Sequence, residues 1–82
     1  MNRLLIYQYI NKLTKDDIIN FCNKNNIIIN NEEVNIIYSY VKNDYKRFFN
    51  NPINVLNEIK LKVNNNTFSE IMTLYNKYKN FI

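Results

Sequence analysis

The chain has 82 residues, of which 46% are hydrophobic, and a net charge of +4, so it has room for one small domain and is too apolar for a disordered segment. It contains one cysteine and no histidine, which excludes an intramolecular disulfide and a zinc site built from thiolate or imidazole ligands. No apolar run approaches the roughly 20 residues that cross a bilayer, and residues 1–13 offer no signal-peptide core, so we expect a cytoplasmic protein without a membrane span.

The spacing of apolar residues predicts an all-α fold, a small bundle of four to five short helices in a single domain over 1–82. The first helix is predicted over 3–12. Its apolar stripe recurs at three- and four-residue spacing and consists of Leu5, Ile6, Tyr9, Ile10 and Leu13. The second helix is predicted over 15–24, because Thr14 is a good N-cap and Asp17 follows three positions later. Its inner face carries Ile18, Phe21 and Cys22.

Three consecutive isoleucines, residues 27–29, follow the second helix. A lone strand of three residues has no partner to pair with, so we predict an extended, buried connector. The third helix is predicted over 31–43, with a continuation to 49 as the alternative. Asn30 or Asn31 caps it, and two glutamates lie in its first turn, where the helix dipole favours negative charge. Its apolar face consists of Val34, Ile37, Tyr38 and Val41.

The fourth helix is predicted over 52–63, with proline at its first position and an asparagine cap before it. Residues 64–66 form a turn, and Thr67 or Ser69 caps a last helix predicted over 68–80. Helices commonly end with a glycine in the left-handed conformation. Because the chain has no glycine, we expect asparagine to take this conformation at the helix C-termini. The asparagines at the predicted helix ends are Asn25 or Asn26, Asn43, Asn50 and Asn64 to Asn66.

The residue types needed for catalysis are missing or have a simpler use, so we expect no enzyme, no metal site and no cofactor. A nucleophile triad needs a base that this chain lacks, and a phosphate-cradling loop needs glycine. Four of the seven carboxylates fall in predicted first turns, where helix-dipole stabilisation explains them. Cys22 is predicted to pack as a small hydrophobe.

Cations interleave with aromatic residues in the segment 38–49, and three interpretations of it stay open. It is core, it is a surface for a protein partner or self-association, or it binds nucleic acid. The partner surface would consist of Tyr40, Tyr45, Phe48 and Phe49, because the third helix is apolar on a second side as well. A nucleic-acid surface would use Lys42, Lys46, Arg47 and Tyr45, since single strands bind by base stacking and phosphate attraction.

The remaining positive charge is a weak indication of nucleic-acid binding. Most other lysines fall near predicted helix C-termini, where the helix dipole favours them. The composition, rich in Asn, Ile, Lys and Tyr, is typical of an AT-rich genome, which also enriches lysine. We therefore expect a non-enzymatic interaction or structural protein that acts through an apolar and aromatic helical face, with the nucleic-acid-binding module as the alternative.

The stretch 13–33, in which a Thr-capped helix, an Asn-Ile link and an amphipathic helix follow each other, resembles a family of small helical proteins of unknown function from Bacillus-type and related low-GC bacteria. Residues 57–59, Tyr75 and Phe81 fit the closing helices of that family. The resemblance implies a bacterial cytoplasmic protein and brings no activity, cofactor or catalytic residue with it. The same helix, link and helix unit is also similar to small nucleic-acid-binding helix-extension-helix domains.

Overall fold

Six α-helices and a short 3-10 helix follow one another in the computed structural model, which describes the backbone of residues 3–81 and the side chains of 3–80. No strand occurs in this part of the chain, and the body measures 30 × 25 × 22 Å. The all-α prediction is confirmed, while the predicted count of four to five helices is too low. The helices are α1 (Arg3–Lys12), α2 (Lys15–Lys24), α3 (Asn31–Asn43), α4 (Tyr45–Asn50), α5 (Pro52–Lys60) and α6 (Asn65–Tyr78), followed by the 3-10 turn Lys79–Phe81.

The first three helices have the predicted bounds, and the second and third begin where predicted because their N-terminal caps are local. The Thr14 hydroxyl accepts from the Asp17 backbone N–H, and the Asp17 carboxylate accepts from the Thr14 N–H at 2.9 Å. Asn30 makes the same reciprocal pair with Glu33. After α2 the chain closes through Asn26, which adopts the left-handed conformation with φ 58°. The other asparagines predicted to close helices have negative φ, since no other described residue has a positive value.

The predicted continuation of the third helix to 49 is wrong, because the helix stops at Asp44. There the backbone leaves the helical region, with φ −121°, and α4 begins at the next residue. The Asp44 carboxylate lies 3.4 Å from the Arg47 guanidinium in the first turn of α4. Arg47 in turn binds Glu58 of α5. This pairing fits a short helix that turns away from the axis of α3 and packs on α5.

The last two helices differ from their predicted ranges of 52–63 and 68–80. Helix α5 ends at Lys60 and α6 begins at Asn65. Asn64 caps α6 by accepting from the Thr67 backbone N–H at 2.8 Å, so the prediction of Thr67 or Ser69 as the cap is wrong.

A buried carboxylate explains why the cap lies at Asn64. Glu33 is only 4% exposed, and its oxygens accept from the Asn64 backbone N–H at 2.8 Å and from the Thr67 hydroxyl at 3.2 Å. The Asn64 side-chain amide also donates to it at 3.2 Å. A buried carboxylate is tolerated when its lone pairs are filled in this way. The contact ties the N-termini of α3 and α6 together.

Helix α3 lies at the centre of the fold, between two apolar clusters. The first cluster has Ile18, Cys22, Ile27 and Val34 at its core, and the second has Tyr40, Val55 and Ile59. Ile36 and Tyr40, the residues on the second apolar side of the third helix, belong to the second cluster. Helix α5 therefore covers the side of α3 that the sequence analysis left without a neighbour.

Several residues predicted to face inward are exposed. On α1, Leu5 and Tyr9 are exposed while Ile10 is buried, and on α2 Phe21 is exposed. In the connector, Ile27 is buried but Ile28 is 92% exposed. Among the described residues, no helix is long and apolar enough to cross a membrane.

Candidate functional site

An apolar cavity of about 370 Å³ lies where α1, α3, α4, α5 and α6 meet. Aliphatic and aromatic side chains form nearly all of its wall, and Lys79 is the charged residue that lines it. All four residues predicted as a partner surface contribute to this wall, namely Tyr40, Tyr45, Phe48 and Phe49. The segment 38–49 therefore forms one side of a concave site.

The inner wall of the cavity is made by residues of the core. Val55, Leu56 and Ile59 of α5 are 1%, 3% and 6% exposed, and Ile10 of α1 is 8% exposed. Val55 and Leu56 lie four and three residues before Ile59, about one turn in each case, so the three side chains lie on one side of α5. The inner wall of the cavity is therefore continuous with the packed core of the protein.

The outer wall of the cavity is aromatic, and Tyr7 of α1 packs on two of its rings without lining the cavity itself. The ring of Tyr7 in α1 lies 5.1 Å from that of Tyr45 and 5.9 Å from that of Phe49, measured between ring centroids. The Phe48 ring meets Tyr75 of α6 edge to face at 6.0 Å. These distances and tilts are those that aromatic pairs prefer. The sequence analysis placed Tyr75 in no site, because only the packing of α6 brings it to the cavity wall.

A smaller hollow of about 90 Å³ adjoins the cavity and carries two cations, Arg3 and Lys79. The cavity and the hollow share four wall residues, Phe48, Phe49, Tyr75 and Lys79. The Arg3 guanidinium lies 5.2 Å from the centroid of the Phe49 ring, within the range of a cation–π contact. No acidic residue in the described part of the chain lines either space.

Tyr40 is the one member of the predicted partner surface that is buried, and it is 9% exposed. Its hydroxyl donates to the Glu58 carboxylate at 3.2 Å and accepts from the Lys62 ammonium at 2.7 Å. Hydrogen bonds from the Arg47 guanidinium lower the pKa of Glu58, and the hydrogen bond with Tyr40 raises the pKa of Lys62. Tyr40 thus spans from the core to a charged group at the surface.

The residues predicted to bind nucleic acid have contacts within the protein. Lys42 donates to two backbone carbonyls at the end of α1, Arg47 binds Glu58, and Tyr45 packs on Tyr7. Lys46 is exposed and lies over the Tyr45 ring, 6.0 Å from its centroid. Three of the four side chains are therefore held by contacts within the protein.

Within the described part of the chain, no nucleophilic or metal-ligating side chains converge at the cavity. The described residues contain no group of three or more Cys, Asp or Glu side chains placed to hold a metal ion. Cys22 is buried in the first apolar cluster, away from the cavity wall, and burial raises the pKa of its thiol. A buried, protonated thiol packs as a small hydrophobe.

No protein-family model, curated protein or solved structure matches the chain. The resemblance to a family of small bacterial proteins therefore stays a prediction.

Proposed function

We propose that this chain is a non-enzymatic binding protein that takes an apolar group of a partner into the cavity between α1, α4 and α6. The observation that carries the proposal is the combination of a cavity of about 370 Å³ with an almost wholly aliphatic and aromatic wall. Small-molecule sites commonly have this size and lining. An apolar cavity gives water few hydrogen-bond partners and holds apolar guests instead. The proposal includes a cytoplasmic location, supported by the single buried thiol.

The proposal keeps the four predicted partner residues but changes how they act. Tyr45, Phe48 and Phe49 are half-buried and form a wall around a space, so a partner would enter between them and not lie flat across them. The nucleic-acid alternative gains less support, because Lys42 and Arg47 already bind groups within the protein.

An uncharged fluorescent probe, N-phenyl-1-naphthylamine, tests the proposal. We expect a saturable rise in fluorescence at a stoichiometry of one probe per chain. The variant Val41→Phe should abolish it, because Val41 lines the cavity and a larger side chain there would fill it. Ile28→Asn is the matched control, since Ile28 is 92% exposed and lies outside the cavity wall. Absence of saturable binding to the folded wild type would overturn the proposal.

A further inference from the structure

We infer that the occupant of the cavity is a medium-chain amphipathic carboxylate, a free fatty acid of about eight to twelve carbons. Its alkyl chain would lie in the cavity and its carboxylate in the smaller hollow beside Arg3 and Lys79. The inference rests on the proposed function and gives it a ligand class.

The concave, apolar shape of the cavity favours a thin, flexible chain over the flat surface of another protein. Its inner wall is built from Ile10, Val55, Leu56 and Ile59, each less than 9% exposed. A flat protein surface would reach only the half-buried rings at the outside, such as Phe48 and Phe49. An alkyl chain can enter between those rings and bury its methylenes against the apolar wall of the cavity.

The volume sets the length of the chain. A cavity of about 370 Å³ corresponds to about twelve times the roughly 30 Å³ that one water molecule occupies in the liquid. A methylene group has a similar volume, so about eight to twelve carbons fill the space. Longer chains would leave their last carbons in water and gain nothing from them.

The charges at the rim select the head group. Arg3 and Lys79 both line the smaller hollow, which shares four wall residues with the cavity. Both salt bridges among the described residues belong to Arg47, so neither of these cations is matched by an acidic side chain there. A carboxylate would be attracted to the pair and can accept two parallel hydrogen bonds from a guanidinium. An alkylammonium head would be repelled.

Calorimetric titration with a series of single-chain compounds, each kept below its micelle concentration, tests the inference. Hexanoate, octanoate and decanoate should bind with affinity rising about three- to fourfold per added methylene, and the gain should stop once the cavity is full. Octanoate should bind about two to five times more tightly than octanol at low salt, and this advantage should shrink in high salt. Octyltrimethylammonium should bind more weakly than octanol.

Two variants separate the head group from the chain. Arg3→Gln combined with Lys79→Gln should reduce the affinity for octanoate to that for octanol and leave octanol binding unchanged. Lys24→Gln is the matched control, because Lys24 is exposed and lines neither space. Val41→Phe should abolish binding of both compounds; if it does not fold, Val41→Met should shift the chain-length limit to shorter chains.

Three results would overturn the inference. One is equal affinity for octanoate and octanol at low salt, and another is a preference for octyltrimethylammonium. The third is a wild-type protein that sediments as a dimer and binds no octanoate, while the Val41→Phe variant sediments as a monomer. That result would make a second copy of the chain the occupant of the cavity. Binding of the uncharged naphthylamine probe distinguishes failure of this inference from failure of the proposed function. If the probe binds but octanoate shows no preference, the proposed function stands and the carboxylate inference fails. If the probe does not bind either, both the proposed function and the inference fail.

Discussion

The Lys42 ammonium group donates to the Ile10 carbonyl oxygen at 2.8 Å and to the neighbouring Asn11 carbonyl at 2.9 Å, so a side chain of α3 caps the end of α1. The last carbonyls of a helix have no partner within the helix, and a lysine that reaches them also complements the helix dipole. Since Ile10 lines the cavity, this contact holds one wall of the site in place.

Removing this cap should destabilise the fold. We expect Lys42→Met to lower the free energy of unfolding by about 1–2 kcal/mol, because it removes two hydrogen bonds from a charged, half-buried donor. Urea denaturation followed by circular dichroism measures it. Lys46→Met is the control and should change the free energy by less than about 0.5 kcal/mol, since Lys46 is exposed. Equal effects of the two substitutions would mean that the Lys42 contact contributes nothing.

Two leucines, one within α5 and one directly after it, should differ in how much they contribute to stability. Leu56 is 3% exposed and Leu61 is 87% exposed. Leu56→Ala should cost about 2–5 kcal/mol through lost burial and an enlarged cavity, whereas Leu61→Ala should cost less than about 0.5 kcal/mol. Chemical denaturation of both variants checks this. A neutral Leu56→Ala would show that α5 presents a different face to the core.

The hydrogen bond from Thr67 to Glu33 can be tested by a substitution that keeps the shape of the side chain. Thr67→Val should cost about 1–2 kcal/mol, because the buried Glu33 carboxylate loses one donor. Thr73→Val is the matched control: Thr73 is exposed and its hydroxyl donates to the Ser69 backbone carbonyl in its own helix. If unfolding free energies change equally in both variants, Thr67 does not hold α6 to α3.

The ion pair between Arg47 and Glu58 should make part of the stability depend on pH. Hydrogen bonds from Arg47 lower the pKa of Glu58 in the folded protein below its ordinary value of 4.5, so folding favours the ionised carboxylate. This contribution is present above the pKa of the unfolded chain and is lost as the pH falls through the folded value.

Urea midpoints of the wild type and Arg47→Gln, measured from pH 7 to pH 3, reveal this dependence. The difference between the urea midpoints of the two proteins should stay constant down to about pH 5 and become smaller below it. Lys46→Gln removes the same charge from the neighbouring position and should show no such narrowing. A gap that is constant over the whole range would contradict the lowered pKa.

Local signals were enough to predict the helices whose caps lie within four residues of one another. Thr14 with Asp17 and Asn30 with Glu33 are examples, and both make the expected reciprocal hydrogen bonds. The start of α6 could not be found in the same way. Three consecutive asparagines give the same local signal, and the choice of Asn64 depends on Glu33, 31 positions earlier in the chain.

The candidate site was predictable only in the part that one segment supplies. Tyr45, Phe48 and Phe49 come from neighbouring turns, and their aromatic character marked them as a site. The pattern could not tell which side of the third helix would be covered, because α5 decides that by burying Tyr40. It also gave no sign of Tyr75, whose place in the cavity wall depends on where α6 packs.

The single thiol of Cys22 gives this protein a built-in reporter of its own opening. It is 6% exposed and its raised pKa keeps it protonated, so a thiol reagent can label it only after the first apolar cluster separates. Since the chain has no other cysteine, each labelled molecule records one opening of that cluster. The labelling rate, measured with and without a guest in the cavity on the other side of α3, would therefore show whether the guest changes how often the first apolar cluster opens.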